Sequence, residues 1–313
     1  MKDRYQIIQG DCRESLKTLT ENSVNCCVTS PPYFGLRSYG GGEDEIGIED
    51  RVEDYIQSLV DVFREVRRVL RPDGTLWLNL GDSYMAQKNV VPPPQTIGGQ
   101  RDMPIGIPGN RREQKGLKHK DLIGIPWRVA LALQADGWWL RQDIIWHKPN
   151  PMPESVEDRC TRAHEYIFML SKKSHYYYDH EAIKEPAQNW GTRDRSEMRD
   201  GTTDPKLKHH GLKGKEWEEN PMKNKRSVWT VNTKGYKGAH FAVYPKQLVL
   251  PCILAGCPQD GTVLDPFNGS GTTGVVALQN NRRYIGLELN PEYVKLAEAR
   301  IAEEVSPLTS LFE

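Results

Sequence analysis

Apolar and polar residues alternate along the chain in blocks that predict strands and helices in turn. Short apolar runs typical of buried strands occur in YQIIQGD, VNCCVTS and TLWLNLGD, and later in LRQDIIWHK and HEYIFMLSK. Apolar residues recur at helical spacing in ESLKTL, VEDYIQSLVDVFREVRRVL and IPWRVALALQADGW, and RPDG is predicted to end the second of these helices. The chain therefore begins as an α/β alternation.

The last third of the chain repeats this alternation. Helix PKQLVLPCILAGCP, strand TVLDPF, helix GSGTTGVVALQNN, strand RYIGLEL and helix PEYVKLAEARIAEE follow one another. Repeated βα units favour a doubly wound, mainly parallel sheet of the α/β class. In such sheets, ligands bind at the carboxyl ends of the strands.

Two stretches interrupt this pattern. Residues 84–120 and 184–227 lose apolar periodicity and are rich in proline, glycine, lysine and arginine. We interpret both as irregular basic insertions, because structureless stretches of this length are uncommon inside a compact core. The core is then formed by residues 1–83, 121–183 and 228–313.

Charge balance, apolar runs and cysteine spacing limit the classes of protein to which the chain can belong. The 313 residues carry 42 basic and 42 acidic side chains, so any affinity for nucleic acid must come from local patches. No run approaches the roughly 20 apolar residues of a membrane span, and the amino terminus lacks an apolar signal core, which predicts a cytoplasmic protein without membrane contact. The six cysteines form no CxxC pair, which favours buried free thiols over disulfides or a metal site. Pro251-Cys252, in an apolar helix, is interpreted as core.

A cofactor site is indicated where the strand TVLDPF meets a glycine-opened helix. Gly269 and Gly271 let the backbone turn sharply after Asp265, and Glu288 ends the next strand, where a carboxylate can accept hydrogen bonds from both ribose hydroxyls. The full GxGxxG of nicotinamide sites and the GxxxxGK of phosphate-binding loops are both missing. The pattern therefore predicts a different nucleoside-bearing cofactor.

The segment TSPPY at 29–33 follows a strand whose carboxyl end is expected beside this cofactor site. Two consecutive prolines fix the backbone and remove two amide donors, which leaves a loop of hydrogen-bond acceptors. If the Ser30 hydroxyl and the Pro31 carbonyl accept from an amine whose lone pair is delocalised, they can free that lone pair for attack on an electrophile. Tyr33 adds an aromatic ring on which a planar group can stack.

Together, TSPPY and DPFNGSGTT resemble motifs of the β group of amino DNA methyltransferases, in which the catalytic motif precedes the cofactor motif. The resemblance implies a Rossmann-like methyltransferase core, S-adenosylmethionine as cofactor, and a catalytic loop of Ser30, Pro31, Pro32 and Tyr33. The activated amine would then be an exocyclic amine that attacks the methyl donor in line, and Tyr33 would stack on a base flipped out of the duplex. The implied cofactor-binding residues are Asp11, His240, Asp265, Pro266, Phe267, Gly269, Ser270, Gly271, Thr272 and Glu288. By the same resemblance, 1–83 is the catalytic half, 121–183 continues the core, and 228–313 is the cofactor-binding half.

The basic insertions are the candidates for contact with DNA. Residues 184–227 lie where the family usually carries its target-recognition region, and basic side chains there and in 84–120 can neutralise phosphates. The selected contacts are Arg111, Arg112, Lys213, Lys215, Lys225 and Arg226. Trp146 is interpreted either as an aromatic that helps to hold the flipped base or as a buried packing residue. For Glu165, next to His164 on a strand, a structural role is expected.

We therefore expect a site-specific DNA methyltransferase that acts on the exocyclic N4 of cytosine, because Ser in the first position of the motif is associated mostly with that target in the family. The nearest alternative is N6-adenine methylation on the same scaffold. Remoter alternatives are a glutamine methyltransferase of proteins, which would more naturally carry Asn at position 30, and a non-catalytic DNA-binding regulator. The expected partners are double-stranded DNA and a cognate restriction endonuclease, and monomer and homodimer both remain open.

Overall fold

The protein forms an eight-stranded sheet covered by helices on both faces. The structure, a computed structural model, describes residues 2–35, 45–86, 96–97, 100–101, 113–187, 222–233 and 244–309. The strands of this sheet are β1 (Tyr5–Gln9), β2 (Val24–Thr29), β3 (Leu70–Leu80), β6 (Trp139–His147), β7 (His164–Ser171), β10 (Val228–Thr230), β11 (Thr262–Asp265) and β12 (Arg283–Glu288).

The strand order is β1-β12-β11-β2-β3-β7-β6-β10. All neighbouring strands are parallel except β7, which runs antiparallel to both β3 and β6. This arrangement confirms the predicted mainly parallel, doubly wound α/β sheet. The reversed direction of β7 has a local consequence: its amino end lies at the edge where the parallel strands have their carboxyl ends.

Helices divide between the two faces of the sheet. Two apolar clusters form the core: one packs α1 (Cys12–Ser15), α2 (Val52–Val69) and α3 (Ile125–Ala135) against the sheet, and the other packs α4 (Lys246–Gly256), α5 (Thr272–Gln279) and α6 (Pro291–Thr309). The adjacent Cys26 and Cys27 belong to opposite clusters, as the period of two in a strand requires.

The helix α2 shows how the pattern of the sequence produces this packing. Its buried residues recur at helical spacing and face the sheet, and acidic residues in its first turn and basic residues in its last turn complement the helix dipole. RPDG was predicted to separate α2 from a strand that starts at Thr75. Instead, β3 already begins at Leu70, opposite Val24, and the exposed Arg71, Pro72 and Asp73 are accommodated where the register shifts before Thr75 pairs with Cys26.

Short paired strands occur in both predicted insertions. β4 (Thr96–Ile97) pairs with β5 (Gln100–Arg101), and β8 (Glu185–Pro186) pairs with β9 (Met222–Lys223). All six cysteines are free, and five are buried, including Cys252; the exposed Cys160 departs from the expected burial. Within the described parts of the chain, no helix is long and apolar enough to cross a membrane, and no cluster of His, Cys, Asp and Glu could hold a metal ion.

Candidate active site

The predicted loops converge at the carboxyl edge of the sheet because β2 and β11 are direct neighbours. The TSPPY loop leaves β2, the glycine loop leaves β11, and Glu288 ends β12 on the far side of β11. Connections at this point run to opposite sides of the sheet, which opens a crevice at its carboxyl edge. The structure thus brings together the two halves of the predicted site, which lie far apart in the sequence.

Asp265 joins these segments from within the protein. Its side chain is 1% exposed; Oδ1 accepts hydrogen bonds from Thr29 Oγ1 (2.6 Å) and from the Phe267 N–H (3.1 Å), and Oδ2 accepts from Thr273 Oγ1 (2.7 Å) and Tyr244 OH (3.1 Å). Burial raises the pKa of this carboxyl, and the four donors oppose the shift. Asp265 therefore fixes the catalytic loop to the glycine loop, and its contact with the cofactor stays a prediction.

The glycine loop adopts the backbone that its sequence predicts. Gly269 has φ 49° and Gly271 φ 75°, a region in which side chains other than glycine are strained. A Cβ at Gly271 would lie 2.9 Å from the Ala297 Cβ, whereas a Cβ at Gly269 would meet, among the described residues, only the Phe267 carbonyl oxygen, at 3.9 Å. Gly271 is thus required for packing of α5 against α6, and the space in front of Gly269 can receive a ligand.

Glu288 lies beside this space. Its Oε2 accepts from the Gly269 N–H at 2.8 Å, and its Oε1 accepts from the Asn290 N–H at 2.9 Å. Burial raises the pKa of Glu288 to about 7, against the effect of these two backbone donors. An ionised carboxylate has acceptor capacity beyond these two bonds, which fits a ligand with two neighbouring hydroxyl groups.

The side chains of two residues assigned to the cofactor also support the glycine loop. Ser270 Oγ and Thr272 Oγ1 both accept hydrogen bonds from the Arg300 guanidinium, at 3.1 and 2.8 Å, and both residues are buried. Pro266 is also buried, and the half-buried ring of Phe267 packs against the core. Phe267 and the glycine backbone therefore remain the best-placed parts of this loop for contact with a cofactor.

The catalytic loop presents two hydrogen-bond acceptors. The buried Tyr55 donates its hydroxyl to the Pro32 carbonyl at 2.8 Å and so fixes the peptide after the second proline. Within the described ranges, the Ser30 hydroxyl and the Pro31 carbonyl make no hydrogen bond. These are the two acceptors that the sequence assigned to a substrate amine.

Tyr33 is held by contacts that the sequence did not reveal. Its ring lies against Gly81, where an added Cβ would be 2.5 Å from Cε2, and its hydroxyl donates to Glu165 Oε2 at 2.8 Å. Glu165, for which a structural role was expected, is therefore in direct contact with the catalytic loop. The available signal in the sequence was an acidic residue at the start of one strand, after a preceding strand that ends in basic residues. The contact of this acid with Tyr33 could not be identified without the order of the strands in the sheet.

The remaining predicted residues differ in their placement. Asp11 caps α1 through the Arg13 N–H and pairs with the Arg13 guanidinium; burial would raise its pKa, but these contacts lower it. Trp146 is 4% exposed and donates its indole N–H to the Val231 carbonyl at 2.8 Å, which favours the packing interpretation over contact with a base. His240, Arg111, Arg112, Lys213 and Lys215 lie outside the described residues.

Two of the predicted DNA contacts lie close to β9. Arg226 is 60% exposed and pairs with Glu185 at 2.6 Å, and Lys225 Nζ lies 5.2 Å from the centroid of the Trp229 ring. Neither contact uses all the hydrogen-bond donors of its cation. Contact of these two residues with phosphate therefore stays a prediction.

The fold and the site are those of a methyltransferase that uses a nucleoside-bearing cofactor. The catalytic loop, which offers hydrogen-bond acceptors, lies beside the glycine loop and the Glu288 carboxylate. The family model described as DNA methylase, for N6 and N4 methyltransferases, matches residues 24–299, and the chain belongs to this family. S-adenosylmethionine is its cofactor, and it acts on DNA.

Individual relatives match along nearly the whole chain. The type II methyltransferase M.SmaI of Serratia marcescens is 50% identical over 95% of this chain and 90% of its own length. M.Cfr9I of Citrobacter freundii is 46% identical, with coverage of 95% and 88%. A structure from Thermus thermophilus, described as a DNA modification methylase complexed with S-adenosyl-L-methionine, is 26% identical with a TM-score of 0.56 and covers 96% of each chain.

Proposed function

We propose that the protein is a site-specific DNA methyltransferase that transfers a methyl group from S-adenosylmethionine to the exocyclic N4 of cytosine in double-stranded DNA. The observation that carries this proposal is the acceptor pair of Ser30 and Pro31, fixed beside the glycine loop by the Thr29–Asp265 hydrogen bond. A loop of acceptors suits an N–H substrate and has no need of a thiol nucleophile.

The residues at the site fit the cofactor. Glu288 offers a carboxylate to a ribose diol, Phe267 offers an aromatic face, and the missing side chain of Gly269 leaves space between them. When bound, S-adenosylmethionine supplies an electrophilic methyl group on a sulfonium. The protein orients these groups and contributes no covalent intermediate.

The catalytic loop performs the activation. The Ser30 hydroxyl and the Pro31 carbonyl each accept an N–H of the target amine, draw its nitrogen towards tetrahedral geometry and expose its lone pair. Once methylated, the nitrogen releases one of its two protons to solvent. Tyr33 stacks on the base after the base has left the duplex, because a paired amine cannot reach the crevice. The neutral Ser30 hydroxyl favours cytosine N4 through the family association, and adenine N6 is the alternative on the same loop.

The relatives support a role in restriction and modification. M.SmaI and M.Cfr9I are type II methyltransferases, and by their similarity we propose a cognate endonuclease as a partner in a bacterial cytoplasm, with the enzyme active as a monomer or homodimer. Family membership over most of the chain weighs against a glutamine methyltransferase. The intact acceptor loop weighs against a non-catalytic regulator.

The test is expression in a host without DNA methylation, followed by digestion of its DNA to nucleosides. We expect N4-methylcytosine, and sequencing of the same DNA identifies the methylated site. Ser30→Ala is expected to lower the rate about a hundredfold, as for loss of one hydrogen bond to a reacting group. Ser23→Ala, at the opposite end of β2, is the matched control and should leave the rate unchanged.

Each outcome of this test decides a separate point. N6-methyladenine would overturn the assignment of the base and leave the mechanism in place. An unaltered rate in Ser30→Ala would contradict the proposed activation. Methyl transfer to a peptide, with none to DNA, would overturn the substrate class.

A further inference from the structure

A cluster of polar side chains holds Tyr33 from the side of the sheet that carries β7. Glu165 is its centre: Oε2 accepts from Tyr33 OH at 2.8 Å and from Asn79 Nδ2 at 3.2 Å, and Oε1 forms an ion pair with Lys148 Nζ. Asn79 also donates to the Tyr166 carbonyl at 3.1 Å. The cluster joins the ends of three strands to the catalytic loop.

The reversed direction of β7 makes this cluster possible. Glu165 is the second residue of β7 and pairs with Trp146 of β6, so it lies at the edge where β3 and β6 end. Had β7 been parallel, its amino end would lie at the opposite edge, away from Tyr33. The contact therefore follows from the topology of the sheet.

Because the Glu165–Lys148 ion pair is largely buried, each of its charges depends on the other. The Glu165 and Lys148 side chains are only 14% and 18% exposed, so removal of one would leave the other charge poorly solvated. Lys148 Nζ also lies 4.3 Å from the centroid of the buried Trp146 ring, which limits its movement. Trp146 is thus connected to the catalytic loop through Lys148 and through Glu165, its register partner on β7.

Contacts of two kinds fix the ring of Tyr33, and its hydroxyl also lies 3.4 Å from Asn79 Oδ1. Gly81 supports the ring, since an added Cβ would lie 2.5, 3.1 and 3.2 Å from three ring carbons, and the hydroxyl is tethered to Glu165. A face contact and a hydroxyl tether together restrict both side-chain torsions of a tyrosine. A ring held in this way can receive a base without a further loss of side-chain freedom.

We propose that Glu165 is a positioning residue of the methyl transfer: supported by Lys148 and Asn79, it fixes the plane in which Tyr33 stacks on the target base. This inference rests on the proposed function, because it assigns Tyr33 to the base. Glu165 acts through the hydroxyl of Tyr33 and has no contact with reacting atoms in this mechanism.

The test is a double-mutant cycle of Tyr33→Phe and Glu165→Ala, measured as the single-turnover rate at saturating DNA and cofactor. Each single variant is expected to lower this rate about fivefold, the usual worth of one hydrogen bond. The double variant should be no slower than the slower single variant, because both changes remove the same tether. The dissociation constant of the cofactor should stay within about twofold of the wild type, since Glu288 and the glycine loop are unchanged.

Two further variants separate positioning from a general loss of structure. Glu165→Gln keeps an acceptor for the Tyr33 hydroxyl and should recover most of the rate. Glu65→Gln alters a comparable ion pair, with Arg68 on α2, and should leave the rate unchanged. Fully additive losses in the double variant, or a wild-type rate in Glu165→Ala, would overturn the proposal.

The failure of this inference can be distinguished from failure of the proposed function. A wild-type protein that leaves DNA unmethylated would contradict the function. In that event, the same cycle measured by urea unfolding still tests the tether, and an absence of coupling between Tyr33 and Glu165 would overturn it. With an active wild type, coupling in stability but none in rate would also overturn it.

Discussion

At the scale of single residues, we expect the Glu288 carboxyl to make cofactor binding depend on pH. Burial raises its pKa to about 7, and the ionised form is the better acceptor for ribose hydroxyls. We expect cofactor affinity to increase as pH rises, and to be about tenfold weaker at pH 6 than above pH 8, because about a tenth of the groups are ionised at pH 6. Calorimetric titration of the cofactor across this range measures the effect.

Stability of the cofactor-free protein should change in the opposite direction. Because the folded pKa lies above the unfolded value, the contribution of Glu288 is present below about pH 4 and is lost as pH rises through about 7, by about 3 kcal/mol at most.

Glu288→Gln is the control for the prediction on cofactor binding: its cofactor affinity should be weaker and independent of pH. A wild-type affinity that does not vary with pH would contradict the assignment of Glu288 to the ribose.

The sequence alone predicts the residues whose role follows from their neighbours in the chain. Ser30 and Pro31 were selected because two prolines leave only acceptors, and Gly271 because the chain must turn between a strand and a helix; the structure shows the acceptors and the positive φ. The contact of Glu165 with Tyr33 depends on which strand lies next to β3 and on its direction. Apolar periodicity is the same for parallel and antiparallel strands, so it could not reveal this contact.

At the scale of elements, the turn from β11 into α5 depends on Gly271. Its φ is 75°, and a Cβ there would lie 2.9 Å from the Ala297 Cβ of α6. We expect Gly271→Ala to lower the free energy of unfolding by about 3 kcal/mol, from backbone strain together with the displacement of α6. Urea unfolding of the variant measures this change.

Gly116 provides a matched control for this substitution. It has nearly the same φ, 76°, but an added Cβ would meet no atom of the described residues within 4 Å. Gly116→Ala should therefore show only the backbone cost, about 1 kcal/mol. Equal losses in the two variants would mean that contact with Ala297 contributes nothing.

The boundaries of elements were less predictable than their types. The turn-forming residues of RPDG predict a break before the strand. Instead, β3 begins at Leu70, because its irregular pairing with β2 accommodates the exposed residues of RPDG. ESLKTL, predicted as one helix, divides into the short α1 and a 3₁₀ turn at Leu16–Thr18. In both cases tertiary contacts decide the local backbone where propensity is weak.

At the scale of the whole molecule, β8 and β9 form a two-stranded stem on either side of residues 188–221. Pro186 of β8 lies opposite Met222 of β9, and Glu185 is opposite Lys223, so the chain before that segment is held next to the chain after it. Glu185 further pairs with Arg226, which ties the stem to the chain that leads into β10. A segment with adjacent ends can be replaced by a short turn with little strain on the core.

Replacement of residues 188–221 by a four-residue Gly-Asn turn therefore tests their proposed role in target recognition. We expect the variant to bind cofactor and to unfold in urea like the wild type, but to lose its preference for the methylated site over unrelated duplexes in competition binding. Full-length Ser30→Ala is the control, because it should lose methylation and keep that preference. Retained preference in the shortened protein would assign sequence recognition to another part of the chain.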